Sequence, residues 1–418
     1  MLHIRLFVIL VILIIGYGCH EHQTTVKSSP QADSLTNQLK AFAQSSPIPG
    51  FAVGVVNEEG LLYEAAFGWA DQEKKIPFTP ETIHAVASVS KTFLAVSVLK
   101  LVEEGKLKLD EPINDILPFP IINPHFPNTP IRVKHLLNHT SSIIDDAFIP
   151  YYIGEADISL LNDSKSFDSL PKHLLLDVQY YRMGKKISLE QYIRNYTQKG
   201  ARWYTDSTFL NKEPGTSFEY SNLAASIAAL VVEIKSGQSF RDYSRHVIFE
   251  PLHLTHTAWD YDSLPRNSYS KLYAQEDPAT DSTVREFPFH YMMSYPASEM
   301  KTNIPDLATF LSEMIRGYNG NGKLLSKEMY KQLFQPVTGI AGFDTKDSSR
   351  FNSHFSIASF WSVAATGHRM HFGGRTGTYA FIYFNPKTNR GGIAYANLRH
   401  DSFGKILEMV GKMEEVVR

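Results

Sequence analysis

Alternating stretches of apolar and polar residues divide the chain into recognisable elements. Phe51 to Asn57 is apolar with a β-branched bias, Glu58-Glu59-Gly60 breaks it, and Leu61 to Gly68 resumes it, which predicts a β-hairpin. Phe93, Leu94, Val98, Leu101 and Val102 then recur at helical spacing and stop at Gly105, so a helix starts near Ser88. Ile187 to Ile193 and Leu223 to Ile234 also read as helices. Towards the end Thr378 to Asn385 alternates, Pro386 to Asn389 turns, and Arg390 to Asn397 follows as a second strand. Asp401 to Val417 closes the chain as an amphipathic helix. Strands at both ends with helices between predict an α/β (α+β) fold: one antiparallel sheet drawn from both termini, with the helical middle as a second lobe. A cleft between two such lobes is a common place for a site.

The first residues break this pattern. Arg5 precedes an unbroken apolar run of ten residues, Leu6 to Ile15, which suits a signal-peptide core and is short for a bilayer span of about 20 residues. Gly16-Tyr17-Gly18 then leads to Cys19, the only cysteine, which reads as a lipoprotein processing site and leaves no partner for an internal disulfide. Residues 1–19 are therefore expected to be an export signal, with a lipid on Cys19 as the only membrane attachment. Residues 20–38 are polar without apolar periodicity and read as a flexible tether. The expected catalytic domain spans 39–418, its sheet lobe drawn from about 39–110 and 335–418. Between these, 147–203 is rich in Tyr, Asp and Ser and reads as a lid-like insertion. The location implied is the cell envelope of a bacterium, membrane-anchored or else periplasmic or secreted.

Composition adds exclusions. Hydrophobic residues make up 43% of the 418 and charged residues 20%, which suits a chain with a real core. A net charge of −2 gives no field for nucleic acid or an anionic membrane surface.

Candidate chemistry centres on Ser88-Val89-Ser90-Lys91. On a helix, positions i and i+3 share a face, so the lysine amine lies beside the serine hydroxyl as its base. Ser-x-x-Lys occurs six times, starting at Ser88, Ser97, Ser169, Ser268, Ser298 and Ser402, so the pattern alone is weak. A capping Ser88 and a solvated Lys91 would be the plain reading. Lys91 serves as a base only if burial or nearby positive charge lowers its pKa. Tyr220-Ser221-Asn222 lies on a turn before a helix, whereas the Tyr-x-Asn copies at Tyr383 and Tyr395 fall in strands. A phenol there relays a proton and an amide holds a substrate carbonyl or amide; the alternative is a turn with Asn222 as helix cap. His371-Phe372-Gly373-Gly374 contains the only His-x-Gly, beside a strand, where glycine lets the backbone approach a ligand. Ser88 and Gly374 N–H groups could then form an oxyanion hole. Arg375 reads as a solvent-facing loop residue in preference to a bidentate carboxylate partner. His368/His371 and His253/His256 are each three apart, but nothing completes a zinc set, so no metal or other cofactor is expected.

In this order the three motifs resemble the serine β-lactamase and penicillin-binding-protein superfamily, with Tyr220-Ser221-Asn222 as the second motif in class C style and His371-Phe372-Gly373 as the third. Ala87 to Phe93, Leu136 to Ser142, Pro214 to Leu223, Phe249 to Leu252 and Thr302 to Leu311 look like that family too, and the similarity spans roughly 40 to 400. The resemblance implies a β-lactamase/transpeptidase-like fold, an antiparallel sheet flanked by helices with an all-helical lobe. It implies Ser88 as acylated nucleophile, Lys91 as base, Tyr220 as proton relay, and Asn222, His371, Gly373 and Gly374 around the substrate. A histidine replaces the class C lysine in the third motif, which points towards the esterase and D-alanyl peptidase branch. Ser142 and His253 each replace a glycine usual in the family. The expected function is hydrolysis of an ester or a D-amino-acid amide or peptide through an acyl-enzyme, with a small-molecule or peptide partner, including cell-wall peptide. A β-lactam-binding or peptidoglycan-sensing protein with little turnover, and a true class C-like β-lactamase, stay open as alternatives. An α/β-hydrolase does not, since no Gly-x-Ser-x-Gly elbow is present.

Overall fold

The computed structural model describes residues 29–145, 154–156, 174, 187–276, 283–340 and 356–417. Cys19, the export signal and most of the 147–203 insertion lie outside the described residues. Eight strands form one antiparallel sheet: β1 (Gly50–Asn57), β2 (Leu61–Asp71), β3 (Ile76–Pro77), β4 (Ser356–Ala358), β5 (Trp361–Val363), β6 (Arg369–Arg375), β7 (Thr378–Asn385) and β8 (Arg390–Ala396). Their spatial order is β4-β5-β6-β7-β8-β1-β2-β3. The two ends of the chain meet where β1 pairs with β8, Phe51 opposite Ala396.

Helices cover both faces. On one face lie α1 (Pro30–Ser45) and α8 (Phe403–Val416), burying Leu35, Leu39, Ile406 and Val410 against Phe51, Val53, Phe381 and Ala394. On the other lies α6 (Ile304–Tyr318), whose Leu307, Phe310 and Leu311 join the larger core. Most of β1 is consequently buried on both sides, as its near-continuous apolar run requires. The helical lobe contains α2 (Ser90–Glu103), α3 (Val133–Leu137), α4 (Leu189–Thr197), α5 (Asn222–Ser236) and α7 (Lys327–Phe334). The hairpin, the helix closed by Gly105, β7, β8 and the terminal helix follow the sequence periodicity.

Two expectations change. Residues 30–38, read as tether, form the first half of α1. Ser29 caps it by accepting from the Ala32 N–H, Pro30 opens it, and Ala32, Leu35, Leu39 and Phe42 make its buried stripe. That stripe is thin and was hidden among polar neighbours. The middle of the chain also holds a small hairpin, Leu272–Gln275 with Val284–Phe287, in place of helix and loop alone.

Phe93 of α2 stacks on Phe310 of α6 at 3.6 Å between ring centroids, both fully buried, and so links the lobe to the sheet layer. Phe93→Ala should lower the free energy of unfolding by about 3–5 kcal/mol, read from denaturant midpoints. A loss under about 1 kcal/mol would show that the two layers do not depend on this contact.

Candidate active site

Ser88 sits in the 3-10 turn Ala87–Val89, which runs directly into α2, so the Ser-x-x-Lys pair spans a turn–helix junction. Ala87 takes a positive φ of 46°, a strained conformation for a residue with a side chain. The neighbouring strand-like segment holds this turn in place. Val86 N–H donates to Met300 O at 2.9 Å, Met300 N–H donates to Ser90 Oγ at 3.0 Å, and Ser90 Oγ donates to Ala87 O at 2.6 Å.

Lys91 is fully buried, unlike the solvated helix lysine of the plain reading. Its Nζ is 3.2 Å from Ser88 Oγ, 2.7 Å from Asn222 Oδ1 and 2.8 Å from Ala297 O. Burial pulls its pKa down to about 7, against the opposing pull of the Asp145 charge. A neutral amine has two N–H bonds and one lone pair. The two carbonyl oxygens accept the N–H bonds, which turns the lone pair to the Ser88 hydroxyl. That is the geometry a general base needs.

Tyr220 and Asn222 arrive together at the start of α5. Ser221, not Asn222, caps this helix: its Oγ accepts from Ala224 N–H at 2.9 Å. The Asn222 side chain is thereby left for Lys91. The Tyr220 ring lies 4.8 Å from the Lys91 amine, and its hydroxyl hydrogen-bonds Ser88. Burial of that hydroxyl raises its pKa above the normal range for a phenol, although 38% of the residue surface is exposed. With the amine near 7 and the phenol displaced upward, the lysine is the group that is neutral and basic at physiological pH. Tyr220 stays protonated, with its hydroxyl against Ser88.

His371 on β6 is buried, with its ring centroid 6.5 Å from that of Tyr220. Its Nδ1 is 2.6 Å from the Phe372 carbonyl; a carbonyl only accepts, so Nδ1 carries the proton and Nε2 is an acceptor. Burial, then the Lys91 charge, lowers its pKa to about 3, so the ring is neutral. Gly373 is required by contact: a Cβ there would lie 2.2 Å from Val86 O and 3.0 Å from Ser88 N. Strand β6 therefore crosses the Ser88 turn backbone against backbone, and the exposed Gly374 follows near the strand's end.

Arg375 differs from expectation. It is 2% exposed, and its guanidinium pairs with the fully buried Glu299, which also accepts from Lys301 Nζ at 2.8 Å. Neither a solvent-facing loop arginine nor a group offered to a substrate, it ties the end of β6 to the segment that carries Ala297. The cation beside Gly374 is the exposed Arg399 of the turn after β8; its Nε would be 3.7 Å from a Cβ on that glycine. Two more residues were not singled out in the sequence. His139, fully buried, accepts the Ser221 N–H at Nδ1 (3.1 Å) and underlies the Tyr220 ring at 4.4 Å. Asp145 accepts from Asn222 N–H, Asn222 Nδ2 and Leu223 N–H at 2.7, 2.8 and 2.7 Å. Among the described residues no group of three or more His, Cys, Asp or Glu side chains is arranged to hold a metal ion.

An antiparallel sheet between helices, with a serine, a buried lysine and a tyrosine gathered at one turn, defines the β-lactamase/transpeptidase-like superfamily. Residues 35–409 match the family model described as Beta-lactamase, and the chain belongs to that family. Protein flp of Staphylococcus aureus (strain MRSA252) is 24% identical over 386 residues, covering 92% of this chain. The chain spans 66% of that relative's length, just under two thirds. The octameric penicillin-binding protein homologue from Pyrococcus abyssi has a similar structure, with TM-score 0.70, 20% identity, and coverage of 92% and 78% of the two chains. The D-amino acid amidase from Ochrobactrum anthropi SV3 gives TM-score 0.68 and 20% identity, with coverage of 93% and 98%.

Gly373→Ala should push β6 off the Ser88 turn, lower kcat/KM at least ~100-fold, the scale of a misplacement of about 1 Å, and lower the thermal midpoint as well, because the clash is with backbone. Full activity in this variant would break the link between strand and turn. The pH profile offers a second check: because Lys91 must be neutral, kcat/KM should rise through about pH 7 and then level off. A profile that rises only above pH 9 would move the base to another group.

Proposed function

We propose that this protein is a serine hydrolase that forms an acyl-enzyme on Ser88 and acts on an ester or a D-amino-acid amide or peptide. One observation carries the reading: the buried Lys91 amine lies 3.2 Å from Ser88 Oγ, with carbonyl oxygens of Asn222 and Ala297 placed to accept both hydrogens of its neutral form. Lys91 takes the hydroxyl proton as Ser88 Oγ attacks the carbonyl carbon. The Ser88 and Gly374 N–H groups receive the developing oxyanion. Tyr220 delivers its proton to the leaving oxygen or nitrogen and regains one from the Lys91 ammonium, and water then releases the acyl group by the reverse route. Asn222 Nδ2 has a second hydrogen for the substrate carbonyl, and Gly373 gives the substrate room along β6.

The neutral third-motif imidazole favours this substrate class over a β-lactam. A class C lysine would offer a substrate carboxylate a fixed positive charge, whereas His371 offers an acceptor, and Arg375 is committed to Glu299. The amidase likeness supports a D-amino-acid amide as one substrate. A second reading, a D-alanyl carboxypeptidase, takes the exposed Arg399 as the cation for the terminal carboxylate; its Nε would lie 3.7 Å from a Cβ on Gly374. The apolar run Leu6 to Ile15 and the cysteine that follows it at Cys19 support export to the cell envelope with a lipid anchor.

Mass spectrometry after exposure to a nitrophenyl ester or a penicillin should show one acyl group on the protein and none on Ser88→Ala. An adduct that survives this substitution removes the proposal. Lys91→Ala should slow acylation at least ~100-fold, the usual scale for loss of a general base. Comparing a chromogenic cephalosporin, a nitrophenyl ester, a D-amino-acid amide and a D-alanyl dipeptide then ranks the substrates. Fastest turnover of the cephalosporin would favour the β-lactamase alternative.

A further inference from the structure

Lys91 is aimed by Asn222, and Asn222 is itself aimed. A side-chain amide is nearly symmetric in shape, so nothing in its outline decides which end faces the lysine. Asp145 decides it. Its carboxylate only accepts, so it takes the Nδ2 end at 2.8 Å and leaves Oδ1 to Lys91 at 2.7 Å. The carboxylate is fixed in turn by two backbone N–H groups at the N-terminus of α5, those of Asn222 and Leu223, each at 2.7 Å, and by Ser221 Oγ at 3.4 Å. A helix N-terminus favours a negative charge in that position.

The charge matters as well as the geometry. The groups around the Lys91 amine are Ser88 at the mouth of its own helix, Tyr220 and Asn222 from α5, His371 from β6, the Ala297 carbonyl, and His139 and Asp145 from beyond α3. Both imidazoles are held neutral by burial, and Tyr220 is a protonated phenol. Asp145 is the acid in this set: burial raises its pKa, the Asn222 and Leu223 N–H groups and the Lys91 charge pull it back, and its carboxylate form favours the ammonium against burial.

We propose that Asp145 is a positioning residue that fixes the amide of Asn222 with its carbonyl towards Lys91 and sets the proton affinity of that amine. The proposal rests on the Ser88–Lys91 reading above. It carries a counterintuitive sign. Removing the carboxylate charge makes the ammonium less stable, so the neutral base persists to lower pH even as the amide loses its alignment.

The test is the pH dependence of kcat/KM for a nitrophenyl ester in wild type, D145N and D145E, each checked for folding by circular dichroism and thermal midpoint. In D145N the acid limb should move down by about one pH unit, the low end for loss of a nearby charge. Its plateau should fall roughly tenfold or more through misalignment. In D145E, which keeps the charge but displaces it, the limb should stay at the wild-type position while the plateau falls. A limb unmoved in folded D145N, or moved equally in both variants, overturns the proposal. If D145N does not fold, D145E decides alone: a displaced limb or an undiminished plateau overturns it. Absence of any Ser88-dependent acylation in wild type would instead sink the proposed function, which keeps the two failures apart.

Discussion

An amine removed from water has to be satisfied by the protein, and the structure around Ser88 is organised by that requirement. Lys91 meets it with oxygens from three places in the chain: its own helix mouth, the start of α5 and the turn Tyr295–Ser298. Each partner constrains the element that supplies it. A lysine free in solvent would be an ammonium at neutral pH and useless as a base. Burial lowers its proton affinity, and the carbonyls aim what burial has freed.

The fold makes this convergence possible because the sheet is assembled from both ends of the chain. Strand β6 comes from the C-terminal part and lies across a turn from the N-terminal part, with Gly373 as the point of closest approach. The Glu299 carboxylate, shared by Arg375 and Lys301, joins that strand to the segment presenting Ala297. A carboxylate buried between two cations is costly to desolvate and contributes little net stability. Its evident use here is registration: it couples the position of the third motif to that of the lysine's acceptor.

Much of this was legible in the sequence, for identifiable reasons. Strands β1, β7 and β8 and helix α5 carry strong periodicity, and their ends bear turn residues or glycine. Ser88, Lys91, Tyr220, Asn222, His371 and Gly373 were found because each belongs to a short motif whose position relative to a predicted element could be judged. Asp145 was not found, since its importance comes from a helix terminus about 77 residues away and no local pattern marks it. Arg375 was misjudged because a residue beside a loop looks exposed until its buried partner is known. The first turns of α1 were missed because only Ala32 and Leu35 among those residues face the core.

The pairing of β1 with β8 has a kinetic side. Phe51 and its strand leave the ribosome long before Ala396 exists, so one edge of the N-terminal hairpin must wait for its neighbour while most of the chain is synthesised. Contacts so distant in sequence slow folding, and an apolar strand with an unfilled edge invites pairing with other chains. The turn that carries Ser88 likewise has no β6 to lie against until the last strands arrive, so the site takes shape only when the sheet is complete.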